Sequence, residues 1–224
     1  MKFNKYLGNR KGRSVTFCDV DECIFRTFAK IKIIKDGKEI NKLNNQEYNS
    51  YKLNDGESFG YGEFRSAKIF NETSIPIPQT VNRIKKMLKI IKETGSKSKI
   101  IFLTARADFD SKATFIKTFE DHGINMDKKN VYVERAGNLE TGSTEARKKK
   151  IILDYLKTGL YRRVRLLDDY EPNLKALLDI RDSLPKEIRD KVRYTYKLNE
   201  NENPIRFWAL WVDGNGDLKE YDKI

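Results

Sequence analysis

Three short, mostly apolar runs each break off at an oxygen-bearing side chain, and this restricts the chain more than any other feature. Val15–Cys18 runs into Asp19, Lys99–Leu103 ends at Thr104, and Val164–Leu167 ends at Asp168 and Asp169. Runs of this length read as strands covered on both faces. Between and after them the apolar spacing becomes helical. Residues 79–94 carry Val81, Ile84, Leu88 and Ile91, with Gly95 as a stop. Residues 111–122 carry Phe115, Ile116 and Phe119 ahead of Gly123, and residues 144–157 carry Ile151, Ile152, Tyr155 and Leu156. Residues 171–182 place Pro172 in a first turn and Leu174, Leu177 and Leu178 inward. Val131–Val133 reads as a further strand. Val192–Leu198, alternating apolar and polar, reads as an edge strand with one face in water. The alternation predicts a single α/β domain over residues 1–224, with a parallel sheet of about five strands flanked by helices.

Residues 26–78 interrupt this pattern and are too many for an ordinary strand-to-helix loop. Within them, Ala29–Ile34 and Glu39–Leu43 flank Asp36-Gly37, a hairpin signal. The stretch Phe59–Phe64 is rich in glycine and aromatics. The segment reads as a small inserted lid. A second hairpin is expected at the C-terminus, where Arg206–Val212 and Leu218–Tyr221 flank Asp213–Gly216. Asp213, Asn215 and Asp217 have calcium-loop spacing, but the downstream glutamate is missing and a turn is the better reading.

Lys and Arg number 45 against 33 Asp and Glu, a net charge of +12. Such a balance favours a polyanionic partner, nucleic acid or a nucleotide. The basic residues are nevertheless spread along a chain rich in Lys, Asn and Ile, which compositional bias alone would produce. The basic N-terminal stretch is followed by no signal-peptide core, and no apolar run reaches membrane-span length. A cytoplasmic protein is expected, with Cys18 and Cys23 unpaired. His122 is the only histidine, which argues against histidine-based catalysis.

In open α/β sheets, ligands bind beyond the carboxyl ends of the strands. Asp19, Asp21, Thr104, Asp168 and Asp169 are all placed there. Singly each is weak: a strand-end Thr is usually a cap, and a Lys run on a helix is usually a solvated face. In order, at successive strand ends, they form one candidate site. The helix opening at Thr144 adds a cation. Lys148 shares the face of Ile151, Ile152 and Tyr155, Lys149 lies at its edge, and Lys150 points away. Lys148 is the first choice and Lys149 the second. Cys23 reads as a packing residue.

Val15-Thr-Phe-Cys-Asp19-Val-Asp21-Glu-Cys23, Phe102-Leu-Thr104-Ala-Arg106 and Leu166-Leu167-Asp168-Asp169 together resemble the haloacid dehalogenase (HAD) superfamily. Its signature is an Asp-x-Asp after strand one, a Thr or Ser after strand two, a helical Lys and a later acidic pair. The resemblance covers nearly all of the chain outside residues 26–78 and the C-terminal hairpin. It is nearest to phage members, loosely including the phosphatase half of phage polynucleotide kinase/phosphatase. It implies a Rossmann-like core, a Mg²⁺ cofactor and a phosphatase (a hydrolase) working through an aspartyl-phosphate.

The resemblance further implies Asp19 as nucleophile and Asp21 as general acid/base, with a proton affinity raised by like charges around it. Thr104, Arg106 and Lys148 or Lys149 would bind the phosphoryl group. Asp19, Asp168, the Asp21 main-chain carbonyl and Asp169 would hold the metal. Glu22 and Cys23 depart from the pattern, which has Gly followed by Thr or Val; Glu22 has no assigned role. The implied substrate is a phosphorylated nucleotide, a polynucleotide end or another small phosphomonoester. A closing lid would favour small substrates. An open groove with Tyr51, Phe59, Tyr61 and Phe64 as stacking platforms would admit a strand end, unless those aromatics form the lid's own core. The alternative is a catalytically silent HAD-like fold that binds nucleic acid or builds a virus particle.

Overall fold

A computed structural model describes residues 12–127 and 129–223; the basic N-terminal stretch up to Lys11 lies outside the described residues. The chain opens with β1 (Arg13–Cys18) and the two-residue β2 (Phe25–Arg26). Next come β3 (Ile31–Lys35), β4 (Lys38–Leu43), α1 (Asn45–Ser50) and β5 (Glu57–Gly60). Short helices α2 (Gly62–Arg65) and α3 (Ala67–Thr73) lead to β6 (Ile75–Pro76) and the long α4 (Pro78–Glu93). The alternation then becomes regular: β7 (Lys99–Thr104), α5 (Lys112–Asp121), β8 (Val131–Arg135), α6 (Thr144–Lys157) and β9 (Tyr161–Asp168). Helices α7 (Glu171–Ser183) and α8 (Lys186–Tyr196) precede β10 (Arg206–Val212) and β11 (Leu218–Glu220).

The main sheet has six strands in the order β11-β10-β9-β1-β7-β8. Five are parallel, and only β11 runs antiparallel, against β10. Successive side chains of a strand leave on opposite faces, and the core divides accordingly. Cys18, Phe102 and Leu167 pack with α4 and α5, while Phe17, Ile101 and Leu166 pack with α6, α7 and α8. The expected α/β architecture is therefore present. The chain proceeds from β1 to one side through β7 and β8, then returns to the other through β9 and β10. The order reverses between β1 and β9, and that reversal opens a crevice at the carboxyl ends of both strands.

One expected strand is a helix. Val192–Leu198 was to alternate as an edge strand, but Lys186–Tyr196 is α8, with Ile188 and Val192 buried one turn apart and Tyr194 88% exposed. The fifth parallel strand is instead β10, the first arm of the expected C-terminal hairpin. Asp213 Oδ1 accepts from Asn215 N and Asp217 N, the pattern of a turn.

Residues 26–78 fold as a three-stranded sheet, β4-β3-β5, with short helices. The Asp36-Gly37 turn has φ of 50° and 73°, as a tight two-residue hairpin requires. Phe25 and Arg26 pair antiparallel with Pro76 and Ile75, and Ile77 N donates to Ile24 O. No helix among the described residues is long and apolar enough to cross a membrane.

Candidate active site

Asp19 leaves β1 with its backbone N–H bonded to Leu167 O, so the β1–β9 ladder continues into the site and sets Asp19 beside Asp168. Lys148 joins them. Its Nζ donates to Asp19 Oδ1 at 2.8 Å and to Asp168 Oδ2 at 2.9 Å. Lys148 reaches this point because it shares the inward stripe of α6 with Ile152 and Leu156, at four-residue spacing. All three charged groups are buried. Burial alone would lower the proton affinity of Lys148, but the charges of Asp168 and Asp19 outweigh it and the ammonium is held firmly.

Asn173, in the first turn of α7, donates from Nδ2 to both oxygens of Asp168 at 3.0 and 3.1 Å, and Tyr170 N donates to Asp168 Oδ1. The Asn173 Oδ1 atom is buried and has no hydrogen-bond partner among the described residues. Carboxylate oxygens of Asp19, Asp168 and Asp169 lie within 4.8 Å of one another. Burial, reinforced by neighbouring carboxylates, pushes the proton affinity of Asp19 up to about 7 and that of Asp169 up to about 8, with Lys148 opposing in both cases. Crowded carboxylates next to an unsatisfied amide oxygen make a donor set suited to a hard divalent cation. Such an ion would replace those protons.

Asp21 stands apart from this cluster in its pairing. Arg106 grips it, with Nε 3.1 and 3.0 Å from Oδ1 and Oδ2 and a terminal nitrogen 2.6 Å from Oδ1. Thr27 Oγ1 donates to Asp21 Oδ1 at 2.7 Å. Burial would raise the Asp21 proton affinity, but the Arg106 charge and these hydrogen bonds carry it below the usual carboxylate range. This reverses the expected upward shift, because the nearest charge is a cation. The role expected for Arg106 changes with it. The guanidinium is buried, donates to Phe64 O at 2.8 Å and lies 3.7 Å from the Phe64 ring centroid. It is committed to protein groups rather than presented to a substrate.

The remaining candidates divide. Thr104 is fully buried, and its hydroxyl accepts from Arg106 N while its own proton goes to no described residue. Asp169 lines the cavity in front of the cluster. Lys149 does not reach it: its Nζ is 3.9 Å from Asp179 on α7. Cys18 and Cys23 are free, buried and 3.7 Å apart at sulfur, as packing residues. Glu22 has φ of 55° and accepts from Thr27 N, which ties the loop after Asp21.

A cavity of about 330 Å³ lies over Asp19, Asp21 and Lys148, and Tyr48, Tyr51, Phe59 and Phe64 of the inserted segment form its opposite wall. These rings also pack on one another. Tyr48 meets Phe59 edge-on at 4.9 Å and shares a hydrogen bond with Tyr61. The same aromatics thus serve as core of the segment and as cavity wall.

Two positions were missed from sequence. No sequence motif marks Asn173, which follows Pro172 in the first turn of α7. Gly137 carries no functional group, yet a Cβ there would come within 2.4–2.5 Å of the Ala105–Ala107 backbone, so only glycine lets the loop after β8 lie against the Thr104–Arg106 turn. No protein-family model matches this chain, and no curated protein matches it.

Proposed function

We propose that this chain is a Mg²⁺-dependent phosphohydrolase of HAD type that transfers a phosphoryl group from a small phosphomonoester to Asp19 and then to water. The observation that carries the reading is the buried Asp19–Lys148–Asp168 arrangement at the sheet's reversal point, open to a cavity that also contains Asp21. Asp19, Asp168 and the Asp21 main-chain carbonyl would hold the cation, supported by Asp169 and Asn173. When bound, it neutralises phosphoryl charge and orients the phosphate.

The chain's own groups account for the rest. Asp19 attacks phosphorus as a carboxylate, and Lys148 keeps it ionised while balancing charge on the transferring group. Thr104, behind the cavity wall, accepts from Arg106 N and so holds the turn that faces the phosphoryl group. Asp21 protonates the leaving oxygen and then takes a proton from the attacking water. Arg106 and Thr27 prepare the base form, and an incoming phosphoryl dianion favours the acid form by like-charge proximity. The segment over residues 26–78 acts as the lid, its aromatics excluding water from the cavity.

The test is phosphate release from mononucleotides, sugar phosphates and phosphorylated oligonucleotides, with Mg²⁺ or with EDTA. Release should require Mg²⁺ and vanish in Asp19→Asn. Equal inertness of wild type and variant across the panel would return the fold to a binding or structural role.

A further inference from the structure

We infer that the cleft contains a second anion-binding subsite, built from Arg65 and Arg147, that selects substrates carrying another phosphate on the leaving-group side. The inference rests on the phosphohydrolase reading and specifies its substrate class. A second cavity of about 160 Å³ adjoins the first and shares Tyr48, Phe64, Ala105 and Thr144 with it. Arg65, Arg106 and Arg147 line this second cavity, and no carboxylate does. Arg106 is neutralised by Asp21. Among the described residues, neither Arg65 nor Arg147 forms an ion pair.

Arg147 is the more telling of the two. One of its terminal nitrogens donates to Leu139 O at 3.3 Å, but its Nε is buried with no hydrogen-bond partner among the described residues. Arg147 lines the cavity with that single contact to a neutral oxygen, so a phosphate arriving there would meet a charge that no carboxylate balances. Arg65, at the end of α2 in the inserted segment, brings a second guanidinium to the same cavity. Both arginines line the same small cavity as the Tyr61 ring.

Helix geometry explains why the two cavities differ in sign. Consecutive residues leave a helix about 100° apart, so Lys148 enters the acidic cavity while Arg147 enters the basic one. Tyr48 and Phe64 line both cavities and form the aromatic wall between them, with Arg106 over one face of Phe64. A phosphoryl group at Asp19, a ring against these aromatics and a second phosphate at Arg65 and Arg147 describe a nucleoside bisphosphate. The aromatic wall that the inserted segment sets over the cavity favours a free bisphosphate over the end of a strand.

The test compares kcat/KM for a nucleoside bisphosphate, the matching mononucleotide and a phosphorylated dinucleotide, in wild type, Arg147→Gln, Arg147→Lys and Arg65→Gln. Thermal unfolding first establishes that each variant is folded. Wild type should favour the bisphosphate over the mononucleotide by about tenfold or more, the scale of one charge-assisted contact. That ratio should fall toward one in both Gln variants, through KM, and recover in part in Arg147→Lys. A dinucleotide with the larger advantage, lost in the same variants, would support the subsite and make its natural occupant a strand phosphodiester. A ratio unchanged by the substitutions would overturn the subsite and leave the phosphohydrolase reading intact. If wild type hydrolyses none of these compounds, the phosphohydrolase reading fails, and the subsite is judged by calorimetric binding of the bisphosphate. Binding weakened in Arg147→Gln would sustain it, and absent or equal binding would end it.

Discussion

Arg106 holds Asp21 through contacts of 2.6 to 3.1 Å, and the same guanidinium donates to the main-chain carbonyl of Phe64 in the segment above. One buried side chain therefore ties the acidic loop after β1 to the wall that covers it. The two ends of this link are 85 and 42 residues from Arg106 along the chain.

Removing one member of such a pair strands the other. Arg106→Gln should lower stability by about 3–5 kcal/mol, because Asp21 would keep its charge without its partner. Adding Asp21→Asn to that variant should cost far less than Asp21→Asn alone costs the wild type. Urea unfolding of the four proteins measures both effects, and additive losses would contradict this account of the pair.

Lys148 and Lys149 are neighbours in sequence with opposite fates. Lys148→Met should cut kcat by about a hundredfold or more, since a buried cation facing two carboxylates is lost. Lys149→Met should change stability by no more than about 0.5 kcal/mol and leave turnover as it was, because its contact with Asp179 is long and partly exposed. Equal losses in both variants would place the phosphoryl contact elsewhere.

Without a divalent cation, stability should fall as pH rises. Asp19 and Asp169 titrate near 7 and 8 in the folded protein, against 3.8 ordinarily. The folded state thus binds extra protons, and the stability they confer is full below about pH 4 and lost as pH passes 7 and 8. Asp21, shifted the other way, contributes stability that is lost only at still lower pH. In EDTA, Tm should decline between about pH 5 and pH 8.5, and Mg²⁺ should raise Tm more at pH 8 than at pH 6. A flat profile, with no response to Mg²⁺, would mean the carboxylate cluster neither holds protons nor takes a cation.

Gly137→Ala should destabilise by about 1–3 kcal/mol, as overpacking does, because the added methyl meets the Ala105–Ala107 backbone. The damage should extend to the Thr104–Arg106 turn, so kcat should drop along with the denaturation midpoint. A fully active, fully stable variant would show that the loop after β8 can move away freely.

Much of this was legible in the sequence because it is local. Apolar runs that stop at Asp19, Thr104 and Asp168 became β1, β7 and β9, and the stripe through Ile152 singled out Lys148. Val192–Leu198 misled because a few residues can satisfy either period; Ile188, four before Val192, was the better guide, and Pro185 was the start signal. The state of Asp21 was not legible, since its dominant partner arrives from a distant strand end. Asn173 could have been suspected only from its position one turn after an acidic strand end.

The ribbon of Phe25-Arg26 against Ile75-Pro76 makes the chain leave and rejoin the sheet layer at a single point. The hairpin strands between those two pairs can lengthen or shorten without changing the distance the core has to bridge, each doubling of a flexible connection costing only about 0.6 kcal/mol, whereas Ala67 and Phe70 of α3 are part of the core itself. The acid-bearing strand ends are thereby shielded from change in β3, β4 and β5, while Phe64 stays tied to them through Arg106. Selectivity can drift in such a molecule while its chemistry stays fixed.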